Sequence, residues 1–358
     1  MGDFHSKPFD AGTLAKLEIF ELYTGEWLPV FLASHKPLRN EIHIFDFFAG
    51  PGLDARGELG SPLRALRTIK RCLGLRQSGW PTVQVVAHFS DIDSQKIGSL
   101  KRNIESLGLR IPGVKLDVRP LSFESALTEY EVTLRKADGA KLLLIDQCGV
   151  DQVTPAVFAD LVAFPTTDFL FFISSSTLHR FHDLPAIKLK IERPTDYYHV
   201  HRKALEYYRE LLPKGSKYFL APFSIKKEQN IYGLIFGSGH PLGIDKFLRV
   251  AWNRDRLNGE ADYDINRDNI AAEEVMLPMQ EFLPRKVWAF EQHLEKRLTD
   301  GTCQDEAAII RLCFDHGVTR QHAAPVLRRL KTARVIRTEI RVPDLNRLNT
   351  PRPIYRLN

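Results

Sequence analysis

Short apolar runs that alternate with helix-length amphipathic segments limit this chain to few folds. Ile42 to Phe48, Val83 to Phe89, Val114 to Leu121, Lys141-Leu-Leu-Leu-Ile145 and Phe169-Leu-Phe-Phe-Ile173 are the runs. Between the first two, Ser61-Pro62 offers an N-cap and a proline at the first helical position. Leu63, Leu66, Ile69 and Leu73 follow on one face, with Gly74 past the end. Ser94 to Leu107 reads as a second helix. Strands that are apolar on both faces and separated by helices imply a parallel sheet covered on both sides. Lys217 to Phe223 and Ile231 to Phe236 lie too close together for a helical crossover, so they are expected to pair antiparallel. The predicted fold is α/β, a Rossmann-like sheet, mostly parallel with its last strand antiparallel. Leu14, Leu17, Ile19, Phe20, Tyr23, Trp27, Leu28 and Phe31 make residues 13 to 34 an amphipathic helix or a broken pair of helices before the sheet.

With 358 residues, 44% hydrophobic and 26% charged, the chain can bury a large core and is expected to hold more than one domain. No stretch nears the roughly 20 apolar residues of a membrane span, and the N-terminus lacks a basic segment leading into an apolar one, so a cytoplasmic protein is expected. Cys72, Cys148, Cys303 and Cys313 lack the paired spacing of a zinc or redox site. The net charge of +6 is uneven: Gly317 to Asn358 carries ten Lys or Arg against two acids, a local +8 that leaves about −2 for the rest.

The first strand opens into Asp46-Phe-Phe-Ala-Gly-Pro-Gly52. In a doubly wound sheet this is the strand end at which ligands bind, and glycine lets backbone approach a ligand without a side chain between them. Gly50-Pro-Gly52-Leu-Asp-Ala55 fits G-x-G-x-x-A, the dinucleotide fingerprint, whose ribose acid belongs about 20 residues on. The acid that ends the second strand is Asp91, about twice as far away, and the loop continues through Arg56, Gly57, Glu58 and Gly60 before its helix. A pyrophosphate would not meet that helix N-terminus closely. The plainer alternative is that Asp46 caps a turn the glycines permit.

Asp46-Phe-Phe-Ala-Gly-Pro-Gly52 resembles the first motif of class I S-adenosylmethionine-dependent methyltransferases, and Ser90-Asp-Ile-Asp-Ser94, with Asn103 on the next helix, resembles their second. More specifically, Lys16-Leu-Glu-Ile-Phe-Glu-Leu-Tyr23, Phe45 to Gly52, Gly60-Ser-Pro-Leu63 and Asp91-Ile-Asp93 resemble the three-Cys-motif partner proteins, methyltransferase-like bacterial proteins encoded beside a protein with a cysteine cluster. The likeness covers roughly residues 10 to 260. It implies S-adenosylmethionine as cofactor, held by Asp46, Phe47, Ala49, Gly50, Pro51, Gly52, Asp91, Ile92 and Asp93, with a three-Cys-motif protein as partner. The expected domains are a helical segment at 1–40, the sheet domain at 41–250 with a helical insertion at 179–214 near the active site, a helical linker at 251–300 and a terminal domain at 301–358.

The end of the fourth strand, Ile145-Asp-Gln-Cys-Gly-Val150, is the expected reactive position. Amino-methylating relatives hold an acid, asparagine or serine there, then prolines and an aromatic, with the acid receiving a hydrogen bond from the target amine. This chain keeps Asp146 and Gly149 but has Gln147 and Cys148 between them. Asp146 is the candidate catalytic residue; as a structural group it would cap the helix near Thr154-Pro155. Cys148 is either a thiolate nucleophile or a small buried side chain. His179 with His182, and His199 with His201, have possible metal-ligand spacing, yet no cysteine or carboxylate completes a site. His199 and His201 are read as substrate contacts and no metal is expected.

At the C-terminus, Thr302 can cap a helix carrying Ala307, Ile310, Cys313 and Phe314, and Thr319 begins another with Arg320, Arg328, Arg329 and Lys331 largely outward. Val335 to Val342 and Pro353 to Leu357 read as two strands around a loop with Asn346, Arg347 and Asn349. Together they resemble a winged helix that docks nucleic acid, or else a protein. The expected function is a nucleic-acid methyltransferase. The competing class is a methyltransferase-like accessory protein that binds a cysteine-cluster partner or RNA without chemistry of its own.

Overall fold

The computed structural model describes residues 7–33, 35–76, 81–146, 152–174, 200–216, 218–227, 230–256, 259 and 285–357. The chain divides into two compact units, Met1–Gly243 and Ile244–Asn358.

The first unit is built on seven strands: β1 (Glu41–Asp46), β2 (Gln84–Asp91), β3 (Val114–Pro120), β4 (Gly139–Ile145), β5 (Thr167–Ser174), β6 (Phe219–Lys227) and β7 (Asn230–Ser238). Their order across the sheet is β3-β2-β1-β4-β5-β7-β6. Pairing is parallel from β3 to β5, and β7 runs antiparallel to both β5 and β6. The expected α/β sheet with an antiparallel last strand is therefore present. β4, buried at every residue, is the central strand its apolar run announced.

Helices cover both faces. α1 (Ala11–Leu32), α2 (Ser61–Gly74) and α3 (Ser94–Ser106) are joined by α4 (Phe123–Glu129), α5 (Glu131–Arg135), α6 (Pro155–Ala163) and α7 (Val200–Leu211). Phe45, Leu143, Phe169 and Phe171 turn to the face covered by α4 to α7, where they pack with Phe123, Tyr130, Phe158 and Tyr208. On α1, Phe20, Tyr23, Trp27 and Phe31 form a buried stripe at helical spacing. The Tyr23 hydroxyl donates to the buried Asp168 carboxylate at 2.5 Å. Asp168 lies near the start of β5, whereas Phe9, just before α1, donates its amide to Asp54 in the loop after β1 at 2.7 Å. α1 therefore runs opposite to the strands and delivers its first turns to the carboxyl rim of the sheet.

One expected cap is corrected here. Gly60, not Ser61, is the N-cap of α2, and Ser61 is the first residue of the helix.

In the second unit, α8 (Pro241–Arg254) begins at the boundary, followed by α9 (Arg285–Thr299), α10 (Glu306–Asp315), a 3-10 turn (Arg320–His322) and α11 (Ala323–Thr332). Asp305 rather than Thr302 caps α10, accepting from the Ala308 amide at 2.8 Å; Thr302 instead bonds Asp300 at 2.7 Å. Thr319 opens the next helical stretch as expected, in a capping box with His322. The two expected strands shrink to β8 (Ile336–Arg337) and β9 (Tyr355–Arg356). Pro343, Pro351 and Pro353 lack the amide donors that a longer ladder needs.

The β5–β7 register sets Phe169 opposite Gly237, and a Cβ on Gly237 would meet the Phe169 ring at 2.2 Å. Gly237→Ala is expected to lower stability by about 1–3 kcal/mol in urea unfolding. Gly74→Ala, where a Cβ meets nothing, is expected to change it by no more than about 1 kcal/mol, toward stability.

Candidate functional site

The strand order reverses between β1 and β4, so the crevice of this sheet lies beyond their carboxyl ends. Asp46 is the last residue of β1, and Asp146 follows the last residue of β4. Both carboxylates named from the sequence thus flank the switch point.

Asp46 is 1% exposed. The Phe48 amide donates to its Oδ1 at 3.1 Å, and the nearby Ser61 side chain favours the ionised carboxylate. Oδ2 is buried and has no hydrogen-bond partner among the described residues. Burial above all, with Asp146 and Asp91 nearby, pushes this carboxyl up to about 7, although Ser61 and the Phe48 amide pull the other way. A half-satisfied acid at a strand end is a counter-charge waiting for a cation.

The loop beyond Asp46 is fixed from several sides. Gly50 and Gly52 have φ of 58° and 83°, conformations that cost little only for glycine. A Cβ on Gly52 would meet Leu100 at 2.7 Å and Leu63 at 3.0 Å, so α2 and α3 close on it. The Ala49 amide donates to the Ser90 carbonyl at 2.9 Å, and Asn103 donates to the Pro51 carbonyl at 2.8 Å. Asp91 ties β2 to the loop by accepting from the Gly50 amide at 3.0 Å and from the Asp93 amide at 2.9 Å. Each of its oxygens keeps a lone-pair direction for a ligand hydroxyl. Asp93 caps α3 through the amides of Gln95 and Lys96. Ile92, between the two acids, is 78% exposed, an apolar ledge beside them. Phe47 is different: its ring is 1% exposed and packs edge-on against Phe123 at 5.3 Å, so its side chain belongs to the core.

From Leu53 to Leu59 the chain folds back on itself, held by Asp54, which accepts from the Arg56 and Glu58 amides, each at 2.8 Å. This small hairpin inserts extra chain between Gly52 and α2, which departs from the dinucleotide fingerprint, while the Gly60 amide at the N-cap of α2 returns to the Gly52 carbonyl at 2.7 Å.

The residue that sequence reasoning missed is Lys16. Its Nζ donates to Asp146 Oδ2 in a partly buried ion pair and lies 4.9 Å from the centre of the Phe172 ring. The signal was in the sequence: Lys16 precedes Phe20, Tyr23, Trp27 and Phe31 on the stripe that α1 buries. A lysine on an apolar stripe calls for an anion. Asp146 itself does not cap α6, whose N-cap is Thr154. Gln147 and Cys148 lie outside the described residues, as do His179, His182 and His199; His201 falls within α7, its side chain outside the description.

In the second unit the basic residues sort into two kinds. Arg320 turns inward, against expectation, and pairs with the buried Asp245 at 2.6 Å and with the Pro343 carbonyl. Arg329 pairs with Glu295 at 2.6 Å, and Lys331 donates to the Ile340 carbonyl at 3.4 Å. Arg328 and Arg347 are exposed. Among the described residues no group of acids, histidines and cysteines could hold a metal ion, and no helix is long and apolar enough to cross a membrane.

Comparison with known proteins gives only distant likenesses. No family profile and no curated protein matches the sequence. Among solved structures, Trm1 from Pyrococcus horikoshii in complex with S-adenosyl-L-methionine is 11% identical, with a TM-score of 0.41, over 83% of this chain and 89% of that one. An O-methyltransferase from Bacillus cereus in complex with SAH is 14% identical, TM-score 0.36, over 66% and 83%. An rRNA methylase from Streptococcus thermophilus is 11% identical, TM-score 0.33, over 61% and 92%. Such likenesses carry no function to this chain; its α/β sheet is established by its own strand order.

Proposed function

We propose that this protein is an S-adenosylmethionine-dependent methyltransferase that acts on nucleic acid. The observation that carries the reading is the buried Oδ2 of Asp46, without a hydrogen-bond partner among the described residues, at the strand end that opens into the Gly50 to Gly52 loop. A cofactor with a cationic sulfur, a cationic amine and no phosphates suits carboxylate walls better than a dinucleotide does. Asp46 would supply its counter-charge, Asp91 would receive its ribose hydroxyls and Ile92 would offer an apolar surface to its base. When bound, the cofactor supplies an electrophilic methyl group to an acceptor.

The chain's own contribution is alignment. Lys16 fixes one oxygen of Asp146, and Oδ1 accepts no hydrogen bond from the described residues. That oxygen can receive an N–H or O–H of the acceptor and orient its lone pair. Orientation of this kind is worth several powers of ten in rate. The nucleic-acid part of the reading draws on the basic segment from Gly317 to Asn358, read from the sequence as part of a winged helix. The same Lys16–Asp146 pair favours a second reading, in which Asp146 is a neutralised structural acid. The protein would then be an accessory subunit for a cysteine-cluster partner.

Two outcomes test this. Label from the methyl group of S-adenosylmethionine is expected to pass to host RNA or DNA, with the rate lowered about 10²–10⁴-fold in Asp146→Ala and on the order of 10²-fold in Lys16→Met. Cofactor binding with no transfer to any nucleic acid or to the partner would support the accessory role. Second, cofactor affinity by calorimetry is expected to rise with pH through about 7 and level off above it. The free protein holds a proton on Asp46 below that value, and a bound cation favours the ionised form. Without ligand the sign for stability is opposite. The folded state binds the proton between 3.8 and about 7, so stability falls as pH rises through that window. Asp46→Asn is expected to remove both dependences.

A further inference from the structure

The basic character of the second unit does not sit where a groove-reading helix would need it. Of the cations singled out on and before α11, Arg320, Arg329 and Lys331 are committed to partners within the unit. Past α11 the situation reverses. Arg334, Arg337, Arg341, Arg347 and Arg356 are all exposed, and none forms an ion pair among the described residues.

Arg334 lies in the turn between α11 and β8, and the other four lie on the ribbon and on the segment that joins its strands. That segment is fastened by one buried acid. Glu306 is 0% exposed and accepts from the Asp344 amide at 2.7 Å, the Arg352 amide at 3.4 Å and Arg352 Nε at 2.9 Å, with a further bond from Arg352 Nη2. Arg341 and Arg347 therefore stand on a backbone held at both sides of their loop. On β8 and β9, Arg337 faces Tyr355 across the ribbon, its guanidinium 5.1 Å from the ring centre. Tyr355 is 51% exposed, with Val342 at 40% and Leu357 at 38%.

Arginines alone would suit any polyanion. A flat, exposed Arg–Tyr pair among them suits a polyanion with accessible aromatic faces, and nucleic acid offers those only where its bases are unpaired. A duplex backbone would use the charges and leave the ring idle. We infer that the β8–β9 ribbon and its 338–354 loop form a docking surface for single-stranded nucleic acid, with Tyr355 and Arg337 stacking on bases and Arg341, Arg347 and Arg356 on phosphates. This inference rests on the nucleic-acid part of the proposed function. It moves the contact from α11 to the ribbon.

The test is fluorescence anisotropy with the full chain and labelled uridine-rich RNA of about 15 nucleotides, the matching single-stranded DNA and a duplex of equal length. Either single strand is expected to bind more tightly than the duplex at equal salt. Tyr355→Ala is expected to weaken it about tenfold with the salt slope unchanged. Arg341→Gln and Arg347→Gln should each lessen the slope of log affinity on log salt by about 0.7, and Arg328→Gln should leave it unchanged. Thermal unfolding confirms that each variant is folded. Preference for the duplex, competition by polyglutamate as effective as that by RNA, or wild-type affinity in Tyr355→Ala overturns the inference. The last result leaves the nucleic-acid reading standing, whereas label transfer to protein alone sinks that reading without touching the binding comparison.

Discussion

A carboxylate forced into the end of a buried strand is the constraint around which the first unit is arranged. Raising Asp46 from 3.8 to about 7 corresponds to about 4 kcal/mol at neutral pH and above. That is a large share of the 5–15 kcal/mol that holds a typical domain together. The fold tolerates it because the strand order leaves an opening at that spot and because the Phe48 amide satisfies part of the acid, with Ser61 nearby favouring its ionised form. Oδ2 stays without a hydrogen-bond partner among the described residues. Strain of this kind is kept where a ligand relieves it.

The second carboxylate is handled in the opposite way. Asp146, one strand over, has a lysine of its own, brought from 130 residues away by α1. α1 can do this because Tyr23 and Asp168 anchor it toward the start of β5 while the segment before it is bound to Asp54 at the rim. The two acids at the switch point therefore differ in chemistry. One lacks a cation and the other owns one. The proposed function uses that difference: one acid would take a cationic ligand and the other would orient an acceptor.

Much of the sheet was legible because its strands are short apolar runs with clear ends, and the antiparallel pair because its connection is too short for a crossover. The glycine loop and the acids at its sides were legible because strand ends impose those residue types. Other features depend on more than the local pattern. Ser61-Pro62 has the form of a cap, but Ser61 is the first residue of the helix and the cap passes to Gly60. Thr302 has the form of a cap too, yet Asp305 is placed to accept the Ala308 amide. Arg320 looked exposed by helical spacing, and nothing local reveals that Asp245 waits 75 residues earlier. Lys16 alone could have been found from the pattern, as a charge on a stripe otherwise destined for the core.

What binds at the carboxyl ends of β1 and β2 decides between the two cofactor readings. A crystal grown with S-adenosylhomocysteine tests that directly. Density is expected over Gly50 to Gly52, with the ligand's amine against Asp46 and its ribose hydroxyls against Asp91. No density there at saturating ligand, or a pyridine dinucleotide bound instead, would contradict the proposed function.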